Sequence, residues 1–186
     1  LVYHPAPDGN PRWHDDDFFV LNEHFIVVST SGTNLLATWT AWGPGLKFLR
    51  VVSACSSNGG ETWTEPHIID GRGSDDELSA KWAVPIVNTS GRLYCIYNKN
   101  TGVIDRNLAE TGVMRCCYSD DRGKTWSEPA TLSFRRSKID HPDANIPPNW
   151  IAWRQPEFDK QARALVTFTR WASPKASVPY VSQYSQ

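Results

Sequence analysis

Two octapeptides in this chain are near copies of each other. Ser56–Trp63 reads Ser-Ser-Asn-Gly-Gly-Glu-Thr-Trp, and Ser119–Trp126 reads Ser-Asp-Asp-Arg-Gly-Lys-Thr-Trp. Both fit Ser-x-Asp/Asn-x-Gly-x-Thr-Trp, both run on into Thr/Ser-Glu-Pro, and the second starts 63 residues after the first. A repeat at that period means an array of similar supersecondary units, each burying its faces against its neighbours. The residue types specify a tight turn. Ser, Thr and Asp/Asn side chains accept nearby backbone N–H groups, Gly supplies an unusual φ, and Trp plugs the space between sheets.

The segments ahead of each octapeptide read as matching sets of strands. Before the first come Phe25–Ser29, a Ser-Gly-Thr turn, Leu35–Thr40, a Gly-Pro-Gly loop and Phe48–Cys55. Before the second come Trp82–Val87, a Ser-Gly turn, Leu93–Tyr97, a long polar loop and Val113–Tyr118. Short β-branched or aromatic runs bounded by turn residues are the strand signal. With His67–Ile69 and Ala130–Phe134 as fourth strands, each set makes a four-stranded antiparallel sheet. A third unit starts at Trp150; pairing Pro85 with Pro156 and Arg92 with Arg163 makes Ala164–Arg170 its second strand and Tyr180–Tyr184 its third. The units are expected at about 18–70, 80–134 and 150–186, the last incomplete. No segment sustains a 3.6-residue period, so almost no helix is expected. Cys55, Cys95, Cys116 and Cys117 lie in apolar runs without a CxxC pair; they read as buried free thiols, with a Cys55 to Cys116 or Cys117 disulfide as the alternative.

Charge excludes some partners. With 19 Lys+Arg against 20 Asp+Glu and no basic block, nothing favours nucleic acid or an anionic membrane surface. No apolar run approaches the roughly 20 residues of a spanning helix. The five His are scattered without HxH or HExxH spacing, and no phosphate-binding Gly loop occurs, so neither metal nor cofactor is expected. Nine Trp suit a β protein with aromatic recognition surfaces.

Through its twin octapeptides the chain resembles the Asp-box (bacterial neuraminidase repeat) proteins, the sialidase-like β-propellers. The resemblance implies an all-β fold of four-stranded blades, about three of them here, as part of a six- or seven-bladed propeller. It places the octapeptides on the outer rim, between third and fourth strands, away from the active centre. Propellers of roughly 4 to 8 blades close so that no long sheet edge stays open. The expectation is therefore that the remaining blades come from the same longer protein or from another chain.

In that architecture the ligand face gathers the loops between blades and between second and third strands. Taking Gly32 as equivalent to Gly91, and Pro85 to Pro156, puts His24, Ala83 and Arg154 at one position of three successive innermost strands. His24 and Arg154 beside Trp82 and Trp153 read as a sugar-binding floor, because indoles stack on pyranoses and Arg holds a carboxylate with two hydrogen bonds. The alternative is that the tryptophans simply fill the wedge between blades. Arg115 and Arg170 either reach the central face or pair with loop carboxylates. Sialidases of this fold hold the substrate carboxylate with three arginines and use a Tyr nucleophile, a Glu and an acidic Asp. Arg115, Arg154 and Arg170 are the candidate arginines here, and Asp75 or Asp76 the candidate acid. The Arg-Ile-Pro motif of that family is absent, with only Arg12 in its place, and its Tyr/Glu pair belongs to later blades. The implied function is a glycan-active, exo-sialidase-type hydrolase, or its N-terminal portion, binding a carbohydrate with an acidic sugar. A soft match of Gly112–Arg115 and Pro147–Trp153 to bacterial sialidase-like proteins points to a secreted or periplasmic setting. Two alternatives stand beside this: a uronate lyase using His14 or His24, Tyr94 or Tyr97 and Arg115, and a non-catalytic carbohydrate-binding propeller.

Overall fold

The computed structural model describes residues 21–42, 48–70, 78–107, 109–133, 135–152, 154–178 and 184–185. Among them there is no helix. The first sheet is β1 (Leu21–Ser31), β2 (Asn34–Trp42), β3 (Arg50–Ser56) and β4 (His67–Ile68), antiparallel and in chain order. The second repeats the plan with β5 (Ala80–Val87), β6 (Leu93–Lys99), β7 (Val113–Ser119) and β8 (Ala130–Leu132). Beyond these lie β9 (Asn149–Ala152), β10 (Glu157–Phe158), β11 (Ala164–Leu165), β12 (Phe168–Trp171) and β13 (Tyr184–Ser185). In the third sheet β12 lies between β9 and β13, while β10 and β11 form a separate hairpin.

The sequence reads Ala164–Arg170 as one strand, and here the structure differs. The strand is divided into β11 and β12. The partner strand is interrupted as well: β9 ends at Ala152, and the loop before β10 leans toward the first sheet, where Gln155 Nε2 donates to Val27 O at 3.0 Å.

Burial shows how the sheets stand. On β2, Leu36, Thr38 and Thr40 are fully buried, and so are Ala37 and Trp39 between them. A strand with both faces covered is flanked on both sides. Ile26 of β1, Val84 of β5 and Trp150 and Ala152 of β9 form one cluster, so the first strands of the three sheets converge. Farther out, Val51 and Ile69 of the first sheet pack on Ala80, Ala83, Cys95, Tyr97 and Cys117 of the second. This is radial stacking of sheets, a partial β-propeller. The third sheet is tied in through polar groups: Asn98 Nδ2 donates to Glu110 O (3.1 Å) and Trp150 O (3.2 Å), and Trp150 Nε1 donates to Gly112 O (2.9 Å). A Cβ on Gly112 would lie 2.1 Å from Asn98 Oδ1 and 2.6 Å from Lys99 O, so only glycine fits.

Both octapeptides form the turn between third and fourth strands. In the first, Ser56 Oγ accepts from Gly60 N–H (2.9 Å), and Asn58 Oδ1 accepts from the Ser56 hydroxyl (2.9 Å) and Thr62 N–H (3.0 Å). In the second, Ser119 Oγ accepts from Gly123 N–H (2.8 Å), while Asp121 accepts from the Ser119 hydroxyl (2.8 Å), Thr125 N–H (2.9 Å) and the Thr125 hydroxyl (2.6 Å). Trp126 packs against the seam between the first two sheets. The second turn docks on the first sheet: a Cβ on Gly123 (φ +89°) would meet Leu36 Cδ1 at 2.7 Å and Cys55 Sγ at 3.2 Å. All four cysteines are free, and the Cys55 thiol donates to Arg122 O (3.2 Å), so the alternative disulfide is not formed.

Gly123→Ala is therefore expected to cost about 2–4 kcal/mol, from a left-handed φ plus overpacking, and Gly60→Ala, whose nearest neighbour is at 3.4 Å, distinctly less. Paired thermal melts check this ranking. Burial opposes ionisation of Asp121, but the hydrogen bonds from Thr125, Ser119 and the Lys124 N–H outweigh it and bring its carboxyl down to about 2. The stabilisation is full above the unfolded value near ~3.9 and is lost as pH falls toward 2. Acid titration of Asp121→Asn against the parent should show that this part of the slope has gone.

Candidate functional site

A bulge interrupts the same place in the first strand of each of the first two sheets. In β1, Glu23 pairs with Thr40 and Ile26 with Thr38, so His24 and Phe25 together oppose Trp39. In β5, Lys81 pairs with Asn98 and Val84 with Ile96, so Trp82 and Ala83 oppose Tyr97. His24 (φ 57°) and Trp82 (φ 59°) both sit in the left-handed region. For such bulky residues this conformation is uncommon, and bulges of this kind re-aim side chains beside functional sites. The equivalent positions are thus His24 with Trp82 and Glu23 with Lys81. The sequence reading, which matched His24 with Ala83, is out by one residue. Ser29–Leu35 and Val87–Leu93 close hairpins of equal length, but the glycine is the third enclosed residue in one and the fourth in the other.

Around the bulges, charged and aromatic side chains from all three sheets form a belt. The Trp82 N–H donates to Thr40 Oγ1 (2.9 Å), fixing the second bulge to the first sheet, and the indole is buried. Lys81 Nζ lies 5.1 Å from the centre of that ring. Burial brings the Lys81 ammonium down to about 8, against the opposing pull of the Glu23 and Glu110 carboxylates. Glu110, in the loop between β6 and β7, is ion-paired to Arg106 Nε at 2.7 Å. The Arg106 guanidinium lies 4.6 Å from the centre of the Trp171 ring, at the end of β12. Asp105 anchors this loop to the third sheet through Asn149 Nδ2 (2.7 Å) and the Ser173 hydroxyl (3.0 Å). His24 is half-buried, its Nε2 has no hydrogen-bond partner among the described residues, and burial lowers its pKa. A neutral imidazole and a lysine that titrates near neutrality are groups that can exchange protons or receive an anion.

The other sequence candidates are placed as follows. Arg115, on β7, faces Asp70 (3.4 Å), which also draws Lys99 Nζ (3.9 Å). Arg170, on β12, is buried and donates to Asp140 Oδ2 and to Arg135 O (2.9 Å). Arg136 also approaches Asp140 (3.8 Å) and donates to Ile146 O (2.9 Å), so this carboxylate organises the loop after β8. Of the two roles open to Arg115 and Arg170 from sequence, the geometry shows pairing with loop carboxylates. Arg154 is exposed just past β9. Tyr97 is fully buried, and burial, then the Asp70 charge, raises its phenol. Asp75, Asp76, Trp153, His14 and Arg12 lie outside the described residues. Among the described residues no cluster of three or more His, Cys, Asp or Glu is placed to hold a metal ion. The sequence does not single out the Lys81–Glu110–Arg106–Trp171 belt; its signals are the place of Arg106 and Glu110 in a loop between second and third strands and Lys81 preceding a Trp, as Glu23 precedes His24, at the start of an inner strand.

A folded-state value near 8 for Lys81 carries a stability consequence. Between pH 8 and the ordinary lysine value of ~10.4 the unfolded chain holds the extra proton, so stability should rise with pH in that window and lie lower below it. Lys81→Met should remove this rise, which melts across pH 7–10.5 will read.

No family model matches the sequence. A sialidase of Paraclostridium sordellii is 27% identical over 112 residues, a match covering 57% of this chain and 27% of that protein. Among solved structures, a Hadza microbial sialidase superposes with a TM-score of 0.64 at 15% identity, covering 83% of this chain and 33% of that one. A protein of unknown function from Dyadobacter fermentans gives a TM-score of 0.58 at 14% identity, covering 84% and 48% of the two chains. The chain thus spans between about a quarter and a half of the proteins it matches. Its fold is that of the sialidase-like β-propellers.

Proposed function

We propose that this chain belongs to a glycan-active protein of sialidase type, which binds an acidic sugar at the convergent end of its inner strands and hydrolyses its glycosidic bond. The observation that carries this reading is a coincidence: a local sequence match to a sialidase and a fold match to another fall on a chain whose inner strands carry Lys81, Trp82 and His24 and whose β6–β7 loop sets Arg106 over Trp171. A cation beside an indole suits a charged pyranose, since the ring takes the apolar sugar face and the cation the carboxylate. Arg154 is exposed just past the inner strand β9.

In this reading Arg106, whose side chain is partly exposed, receives the sugar's negative charge with the buried Lys81 adding its field from behind, Trp171 forms a wall over the buried Trp82, and neutral His24 accepts or donates a hydrogen bond. Arg115 and Arg170 act one step back, Arg115 facing Asp70 and Arg170 holding the Asp140 carboxylate that organises the loop after β8. Asp75 or Asp76 supplies the acid. The remaining blades, from the same protein or another chain, complete the ring and bring the nucleophile. A secreted or periplasmic location fits a glycan-degrading role. The lyase alternative needs a tyrosine at the substrate, and Tyr97 is fully buried while Tyr94 packs against Tyr118 with ring centres 6.5 Å apart.

The test is turnover by the intact protein of a fluorogenic N-acetylneuraminide, with Lys81→Met compared to the parent. Fluorophore release is expected, and Lys81→Met should lose about tenfold in kcat/KM or more. Inactivity on sialosides with an unsaturated product from uronate polymers would select the lyase. Binding of neither sugar would end the glycan reading.

A further inference from the structure

A second recessed surface lies on the rim, away from the belt of Lys81 and Trp82. It is a groove of about 360 Å³ between the two octapeptide turns, floored by Leu35 and Cys55. Its size is at the lower end of small-molecule sites. One wall is the first turn, with Trp63, Thr62 and Thr64; the other is the second turn, with Arg122 and Lys124.

The second turn carries a cationic side chain where the first has none. The turns superpose so that Gly59 (φ 71°) corresponds to Arg122 (φ 64°). Where the first turn uses glycine, the second holds an arginine in the left-handed region, which is unfavourable for any residue with a Cβ. It persists because the surroundings over-determine it: Arg122 O accepts from the Cys55 thiol (3.2 Å), and the next N–H, of Gly123, donates to Ser119 Oγ (2.8 Å).

The chemistry of the walls is specific. The Trp63 indole is fixed in place by donating Nε1–H to Gly60 O (3.0 Å). The Thr64 hydroxyl accepts from Cys55 N–H (3.1 Å), which leaves its own proton to donate. Asp121, the nearest carboxylate to the two cations in sequence, is turned into its own turn by Ser119 and Thr125 and does not line the groove, though its charge reaches Cys55 at the floor. The opening is thus cationic on one side and aromatic and hydroxylic on the other.

We propose that this groove binds an anionic sugar unit, its carboxylate or sulfate on Arg122 and Lys124 and its ring against Trp63. The site is separate from the axial belt and does not depend on the reaction assigned there. Inorganic sulfate shares the anion chemistry, and the test separates the two.

The intact protein is titrated with a chondroitin 6-sulfate disaccharide, with lactose and with inorganic sulfate, following backbone amides by NMR. The disaccharide should shift Thr62–Thr64 and Arg122–Lys124, with lactose and sulfate each weaker by about tenfold or more. Arg122→Gly installs the residue the sister turn already uses. It should keep the melting temperature within about 3 °C while weakening the disaccharide about tenfold. The proposal is overturned if those amides do not move, if Arg122→Gly binds as the parent does, or if sulfate alone binds as tightly as the disaccharide. Sialoside turnover is measured on the same variant and should be unchanged, so failure here and failure of the axial reading are told apart.

Discussion

Two sheets of a propeller can stand side by side only where one leaves room for the other's side chains, and here Gly123 leaves that room. Its α-carbon faces Leu36 and Cys55 of the first sheet at a separation that leaves no room for a methyl group. With the rim closed in this way, the seam fills with Val51, Ile69, Ala80, Ala83 and Tyr97, and β1, β5 and β9 meet through Ile26, Val84, Trp150 and Ala152. The positions of Lys81 and Trp82 relative to Glu23 follow from that convergence.

Much of the architecture is legible in the chain. The octapeptides announce themselves because a turn needs particular donors, acceptors and φ values, and both copies use the same set. The exchange of Asn58 for Asp121 is instructive: both side chains receive the Ser hydroxyl and the Thr N–H, but only Asp121 takes the Thr hydroxyl as a donor, whereas Asn58 Nδ2 donates to Thr62 Oγ1 instead. The strands β3, β5 and β9 are legible because they are buried along nearly their whole length, as β2 is along its middle, and are bounded by turn residues.

The site is much less legible. A bulge adds one residue to a strand without changing its composition, and a glycine displaced by one place in a hairpin hides the shift. His24 therefore appeared to match Ala83 when its partner in geometry is Trp82. Nor does a sequence say which distant carboxylate meets an arginine. Asp70 for Arg115 and Asp140 for Arg170 lie 45 and 30 residues away along the chain. The belt that links Glu110, Arg106 and Trp171 depends on a loop fold that no periodicity encodes.

The account stands or falls on Glu23 and Lys81 occupying the same register of neighbouring sheets, close enough to interact. A double-mutant cycle of Glu23→Gln and Lys81→Met, read by denaturant unfolding at pH 7 and low salt, measures this directly. A coupling of about 0.5 kcal/mol or more is expected for such a pair. Additive effects, with no coupling beyond error, would contradict the convergence of the inner strands at this level.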